Sequence, residues 1–183
     1  MNLEEILLTS AEFNSFVADQ ITFLKDRINQ SPVSLMPLIA IKTLGDDGKT
    51  GLTMAAMAMP FNEDYEKRFA LNGIARSCYA RRQIPLAIAL SAEAWWAQEI
   101  KGVEPRHCTF KSEIVMVSAL SLDQKFVKMF SLPVRRDERN RMHPVEGTAQ
   151  SGREIGILRL PILEKFYSDF AKAVMETQGK TPQ

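Results

Sequence analysis

The segment from residue 109 to residue 134 constrains the fold of this chain more than any other. It reads as two β-strands joined by a short turn at Leu122-Asp123-Gln124-Lys125. Apolar residues alternate along the first strand, with Ile114 and Met116 on one face and Val115, Val117 and Ala119 on the other. A period of two over this length is typical of a strand. Because the chain also carries helical periodicities, the pattern predicts an α+β class.

The remaining elements follow from periodicity and from breaker residues. Helices are predicted over Ser10 to Asn29, with Ser10 as N-cap, over Glu63 to about Arg82, and from Pro161 onward. A hairpin is predicted from Val33–Leu44 and Gly51–Met59, with its turn at Gly45 to Gly48. Residues 84–97 fit a strand or a buried helix, and we favour the strand because Pro85 breaks the preceding helix.

These elements predict an antiparallel sheet of about five strands flanked by three main helices. The order is α-β-β-α-β-β-β-α, and it is similar to that of profilin-like folds, including the roadblock type. The likeness concerns element order alone, so it carries no function. We expect a single α+β domain over residues 1–183 with a frayed tail at 179–183. Residues 135–152 are poor in apolar residues and predict a mobile loop or insertion.

The bulk composition is that of an ordinary globular protein. The chain has 183 residues, of which 45% are hydrophobic and 25% are charged, and its net charge is +1. There is accordingly no global field to attract nucleic acid or an anionic membrane. Two acidic residues near the start argue against a secretory signal, and no stretch is long and apolar enough for a membrane span. A cytoplasmic protein is expected.

One short motif resembles a pattern in small uncharacterised proteins of bacteria and phages. In those proteins a strand ending in Glu-Ala-Trp is followed by a variable loop and a second strand. Here the motif is Glu93, Ala94 and Trp95, and the second strand is Glu113 to Asp123. The resemblance covers about a fifth of the chain. It implies no activity, cofactor or catalytic residue.

The same place in the sequence is the first candidate binding surface. Glu93 stands beside Trp95 and Trp96, and a carboxylate next to amphipathic aromatic residues can anchor a partner or stack on a ligand. The alternative is that one tryptophan packs in the core while the other closes a strand end. Self-association or a protein partner is the interaction that this surface would serve.

A local excess of arginine is the second candidate surface. Arg135, Arg136, Arg139 and Arg141 lie close together in the sequence and could contact the phosphates of nucleic acid. Two neighbouring acids dilute their charge, and no aromatic residue is interleaved for base stacking. A solvated loop is the alternative interpretation.

Catalytic signatures are sparse. Glu93, His107 and Cys108 are the first suspects for an enzyme site assembled from distant residues, although His107 and Cys108 would point to opposite faces of a strand. The histidines and cysteines have no zinc-like spacing, so no metal site and no cofactor are expected. The leading hypothesis is a non-enzymatic binding or assembly module, and the alternatives are such an enzyme or a nucleic-acid binder.

Overall fold

A computed structural model describes residues 6–56, 64–97, 111–145, 153–155 and 160–177. The helices are α1 (Ser10–Asn29), α2 (Asp64–Ala80) and α3 (Pro161–Thr177). The strands are β1 (Leu38–Leu44), β2 (Thr50–Ala56), β3 (Ile84–Ala97), β4 (Lys111–Ser121), β5 (Val127–Arg136), β6 (Met142–Pro144) and β7 (Arg153–Ile155). The predicted α+β class and the predicted order of the main elements are confirmed.

The strands form one antiparallel sheet in the order β2-β1-β3-β4-β5-β6, and β7 pairs with β5. The two short strands β6 and β7 bring the sheet above the predicted number of about five. Residues 84–97 form a strand, as favoured from the sequence. Their alanines suit that position because Ala87 and Ala89 are completely buried within the sheet, where small side chains let helices approach closely.

Helices cover both faces of the sheet. On one face α1 contributes Phe13 and Leu24 to a core that includes Val115, Val117 and Ala119 of β4, so the predicted alternation is confirmed there. On the other face α2 and α3 enclose a second core, built around Leu71, Ile88, Leu120, Leu163 and Phe166. Ile114, Val117 and Phe166 are buried, whereas Met116, Phe126 and Phe170 are half-buried.

The start of α1 differs from the prediction by one residue. Thr9, not Ser10, is the N-cap, because the Thr9 hydroxyl accepts a hydrogen bond from the Glu12 backbone N–H at 3.3 Å. The Glu12 carboxylate accepts in return from the Thr9 N–H at 2.8 Å. This reciprocal capping box satisfies two backbone donors at once, which a cap at Ser10 would not do.

The segment predicted as a mobile loop or insertion, residues 135–152, begins with regular structure, while its mobility stays a prediction. β5 continues through Arg136, a tight turn follows, and β6 returns from Met142 to Pro144. The hairpin is ordered by a buried anchor, because Met142 is completely buried in the core beneath α1. Residues 146–152 and the predicted tail at 179–183 lie outside the described residues.

Candidate functional site

Three charged side chains meet at the end of the sheet where α1 finishes. Glu93 comes from β3, Glu113 from β4 and Arg136 from β5. The Arg136 Nη2 lies 3.0 Å from Glu93 Oε2, and the Arg136 Nε lies 3.0 Å from each carboxylate oxygen of Glu113. One guanidinium therefore neutralises two carboxylates that stand on neighbouring strands.

Arg136 also fastens the segment between α1 and β1 to the sheet. Its Nη1 donates to the carbonyl oxygens of Val33 and of Asn140, the latter at 3.1 Å. Glu93 completes the link by accepting from the Leu35 backbone N–H. Every nitrogen of the guanidinium thus has an acceptor within the chain, and hydrogen bonding to Glu113, followed by the nearby charges, raises the pKa of Arg136.

The alternation of the strands explains why these residues meet. Glu113 continues the face of Val115, and Arg136 continues the face of Leu132 and Val134; these three apolar residues lie in the core under α1. Residues two apart on a strand share a face. Each charged residue therefore stands at the inward end of an apolar row, where a charge needs a partner. This signal could have identified Glu113, which the sequence interpretation missed.

Asp137 organises the turn that follows β5. Its Oδ1 accepts from the backbone N–H groups of Arg139 at 2.9 Å and Arg141 at 2.8 Å, and its Oδ2 accepts from Arg141 Nε at 2.9 Å. The Arg141 backbone N–H is the largest of the influences that hold the pKa of Asp137 well below its ordinary value. Asn140 has a positive φ of 60°, which asparagine tolerates better than most residues.

His143 connects this turn to the end of α1. Its Nε2 lies 3.1 Å from Asp137 Oδ2, and its Nδ1 lies 3.2 Å from the Ser31 hydroxyl. The neutral tautomer with its proton on Nε2 satisfies both contacts, because Nδ1 then accepts from Ser31. The hairpin is thereby held at both ends, by Arg136 on β5 and by His143 on β6.

The predicted arginine surface exists, but its members differ in role. An open groove of about 760 Å³ is lined by Arg135, Arg136, Asp137, Glu138, Arg139, Arg141 and His143. Arg136 is half-buried and committed to carboxylates, and Arg141 is ion-paired with Asp137. Arg135 and Arg139 have exposed side chains. The structure thus joins Glu93 and Arg136, which the sequence had assigned to two separate surfaces.

The other predicted residues are placed only in part. The backbones of Trp95 and Trp96 pair with Glu113 and Ser112 of β4, while their side chains lie outside the described part of the structure. His107 and Cys108 also lie outside it. The enzyme hypothesis built on Glu93, His107 and Cys108 therefore stays a hypothesis.

The described residues offer neither a metal-binding cluster nor a membrane-spanning helix. They contain no group of three or more histidine, cysteine or acidic side chains arranged to hold a metal ion. Among their helices, none combines the length and the apolar character that a membrane crossing requires.

Comparison with known proteins does not add a relative. No family model matches the chain, and neither curated proteins nor solved structures show significant similarity to it. The Glu-Ala-Trp resemblance stays an expectation, and a function has to be argued from the chain's own surfaces.

Proposed function

We propose that this protein is a non-enzymatic assembly module in which β2 pairs with β2 of a second copy. The observation that carries the proposal is an unprotected sheet edge. In the part of the chain that the structure describes, β2 pairs with β1 and with no other strand. Its outer row of backbone N–H and C=O groups is a template for another strand.

β2 itself carries none of the charges, prolines or bulges that commonly protect an edge strand. The strand Thr50–Ala56 contains no charged residue and no proline, and its register with β1 is continuous over all its residues, without a bulge. Charges, prolines and bulges are the devices by which proteins keep edges from pairing. A seven-residue edge without any of them favours association.

Exposed apolar side chains border this edge. Leu52 is 54% exposed and Met54 is 42% exposed, and both lie on the sheet face that α1 covers, because they pair with Lys42 and Ala40. Phe23 of α1 is also exposed. Lys25, two residues further along α1, sits over the Phe130 ring of β5. Because residues two apart on a helix point to nearly opposite sides, Phe23 lies on the β2 side of α1.

A small groove of about 260 Å³ separates α1 from β2 and contains an unused acceptor. Phe16, Asp19 and Gln20 line it from α1, and Leu52 lines it from β2. Gln20 is buried, yet its Oε1 has no hydrogen-bond partner among the described residues. A buried acceptor without a partner is costly, and a donor from an associating surface would offset that cost if the Gln20 side chain turned toward the groove.

The edge suits a second copy of the same chain. A two-fold axis through Thr53 would pair all seven residues of β2 antiparallel with their counterparts. Leu52 of each copy would then oppose Met54 of the other on one face, and directly opposed apolar pairs stabilise antiparallel strands. Because β2 carries no charge, nothing in the strand repels its copy.

The ion pairs of the hairpin after β5 weigh against phosphate binding. Arg136 and Arg141 are paired with Glu93, Glu113 and Asp137. These contacts leave fewer cations for phosphates.

Sedimentation velocity over a protein concentration series tests the proposal. We expect a dimer at about 100 µM, because association depends on protomer concentration. Leu52→Lys and Met54→Lys each place a charge on the edge and should raise the dissociation constant by about tenfold or more. Phe69→Lys is the matched control, since Phe69 is 82% exposed on α2. A monomeric wild-type protein overturns the proposal.

A charge-pair rescue tests the register. In the proposed pairing the double variant Leu52→Lys/Met54→Glu brings each lysine opposite the glutamate of the other copy, so it should recover association lost in the single variants. Association that is lost in Phe69→Lys, or that the double variant does not recover, would place the contact elsewhere and contradict the β2 pairing.

Phosphate binding in the arginine groove is the second candidate function, favoured by the exposed Arg135 and Arg139. The fluorescence anisotropy of a labelled single-stranded oligonucleotide should rise on binding at low salt and fall steeply as salt increases. Arg135→Ala/Arg139→Ala should weaken binding more than Arg76→Ala/Arg82→Ala, which removes the same charge from the region of α2. No binding at low salt excludes this function.

A further inference from the structure

A second cleft opens at the end of the sheet where β3 begins, and it shares no lining residue with the groove beside β2. It has a volume of about 800 Å³ and lies between the end of α2, the start of β3 and α3. Apolar and aromatic side chains form most of its wall, among them Tyr79, Ile84, Leu122, Phe170, Val174 and Met175. Its size and lining are those of sites that bind small organic molecules.

The cleft contains one polar group without a partner. Gln83 lies in its wall, and the Gln83 Oε1 is buried with no hydrogen-bond partner among the described residues. The Tyr167 hydroxyl, also in the wall, already donates to the Leu120 carbonyl oxygen at 3.0 Å. A buried acceptor without a partner raises the free energy of the folded protein, and a hydrogen-bond donor would remove that cost. Gln83 Oε1 is itself shielded from solvent, so a ligand in the cleft supplies the donor once the Gln83 side chain turns toward it.

The charges at the mouth of the cleft balance each other. Arg82 Nη1 lies 3.6 Å from Asp46 Oδ2, and both side chains are well exposed. A charged ligand would meet attraction from one of them and repulsion from the other. The mouth of the cleft therefore favours a ligand without net charge.

We propose that this cleft binds a small, uncharged, apolar molecule that carries one hydrogen-bond donor, such as a hydroxyl or amide N–H group. The apolar part fills the space between α3 and the start of β3. The donor bonds to Gln83 Oε1. No covalent step is involved.

The test uses two probes of nearly equal shape, 2-naphthol, which has a donor, and 2-methoxynaphthalene, which has none. Isothermal titration calorimetry measures the affinity of each probe for the full chain, and methyl NMR shows where the probe binds. We expect both probes to shift the methyl signals of Ile84, Leu122 and Val174, and 2-naphthol to bind several-fold more tightly. Gln83→Leu should remove that preference while leaving 2-methoxynaphthalene binding unchanged, because Gln83 supplies the acceptor.

A filled cleft provides the second variant. Ala171→Trp should weaken both probes by at least about tenfold, because Ala171 lines the cleft and is exposed, so a larger side chain occupies it. Ser168→Trp is the matched control, as Ser168 is also exposed on α3. Equal loss in both tryptophan variants, no shift at these methyls, or no dependence on Gln83 overturns the proposal.

Binding of the probes in the cleft should not depend on assembly through β2. Leu52→Lys should bind both probes as the wild type does, because Leu52 is not part of the cleft. Nuclear Overhauser contacts between the cleft methyls and another segment or copy of the chain, in the absence of probe, would show that protein fills the cleft. They would refute the small-molecule site.

Discussion

Glu93 and Arg136 form an ion pair of 3.0 Å although they lie 43 residues apart in the chain. The pair spans two strands that are not neighbours, since β4 lies between β3 and β5. Glu113 of β4 completes it from the middle. The network therefore joins three consecutive strands of the sheet at one end and ties the segment before β1 to them.

Removal of the central cation should destabilise the protein. Arg136→Ala leaves Glu93 and Glu113 close together without a counter-charge. Breaking a fully buried pair costs about 3–5 kcal/mol, and since these side chains are partly exposed we expect about 2–3 kcal/mol. Urea unfolding followed by circular dichroism measures the change.

Two further variants serve as controls for that measurement. Arg139→Ala removes an exposed arginine three residues away and should change the free energy of unfolding by less than about 0.5 kcal/mol. Replacing Glu93, Glu113 and Arg136 together by methionine removes the charges as well as the bonds, and it should cost less than Arg136→Ala alone. A larger loss in the triple variant would refute the unpaired-charge explanation.

The stability of the hairpin should depend on pH through Asp137. Hydrogen bonds, led by that from the Arg141 backbone, lower the pKa of Asp137 in the folded state. A carboxyl group with a depressed pKa contributes stability above its unfolded pKa, about 3.9, and this contribution is lost as pH falls from there through the folded pKa. Acidification below about pH 4 should therefore reduce stability.

Asp137→Asn isolates this effect. The amide oxygen can still accept from the backbone, but the group no longer titrates, so the loss of stability below pH 4 should become shallower than in the wild type. Urea midpoints at a series of pH values report it. An unchanged acid dependence in the variant would assign the effect to other groups.

Shortening a buried side chain of α3 should lower the free energy of unfolding strongly, because the inner face of α3 packs into the second core. Phe166 is completely buried and packs edge-to-face on Tyr167, so Phe166→Ala should cost about 3–5 kcal/mol. Phe69→Ala removes the same side chain from an exposed position and should stay within about 0.5 kcal/mol. Similar losses in thermal and urea unfolding for the two variants would contradict the packing of α3.

Cys78 should react slowly in the folded protein. It is a buried free thiol, and burial raises its pKa, which lowers the thiolate fraction. In a Cys108→Ser background, thiol labelling at pH 8 should be slower than that of free cysteine by on the order of tenfold or more, and urea should abolish the difference. Rapid labelling without denaturant would show that the core around Cys78 opens readily.

Local patterns determined the main elements of the fold. The alternation in residues 114–119, the amphipathic stripe of residues 10–29 and the glycines around Asp46 and Asp47 each specify structure over a few residues. Gly48, for example, adopts a φ of 74° in the β1–β2 turn, which glycine allows without strain. For this reason the class and element order could be predicted, while the N-cap at Thr9 and the hairpin at 135–145 could not.

The hairpin shows why a local interpretation failed. Residues 135–145 contain few apolar side chains, and by composition alone they cannot offset the entropy of ordering. Their order comes from distant partners: Met142 enters the core under α1, and the Met142 N–H donates to the Pro32 carbonyl oxygen at 2.7 Å. Arg136 bonds to Glu113, and His143 to Ser31. None of these contacts is visible within the segment itself.

The sequence by itself determined which residues alternate, which face inward and where turns fall, because those properties depend on neighbours within a few positions. Only the tertiary structure decided which surfaces carry interactions. It paired Glu93 with Arg136, left β2 with β1 as its one partner among the described strands, and placed Gln83 in the wall of an apolar cleft. Strand order and helix placement set these relationships, and both arise from long-range packing that a local pattern does not encode.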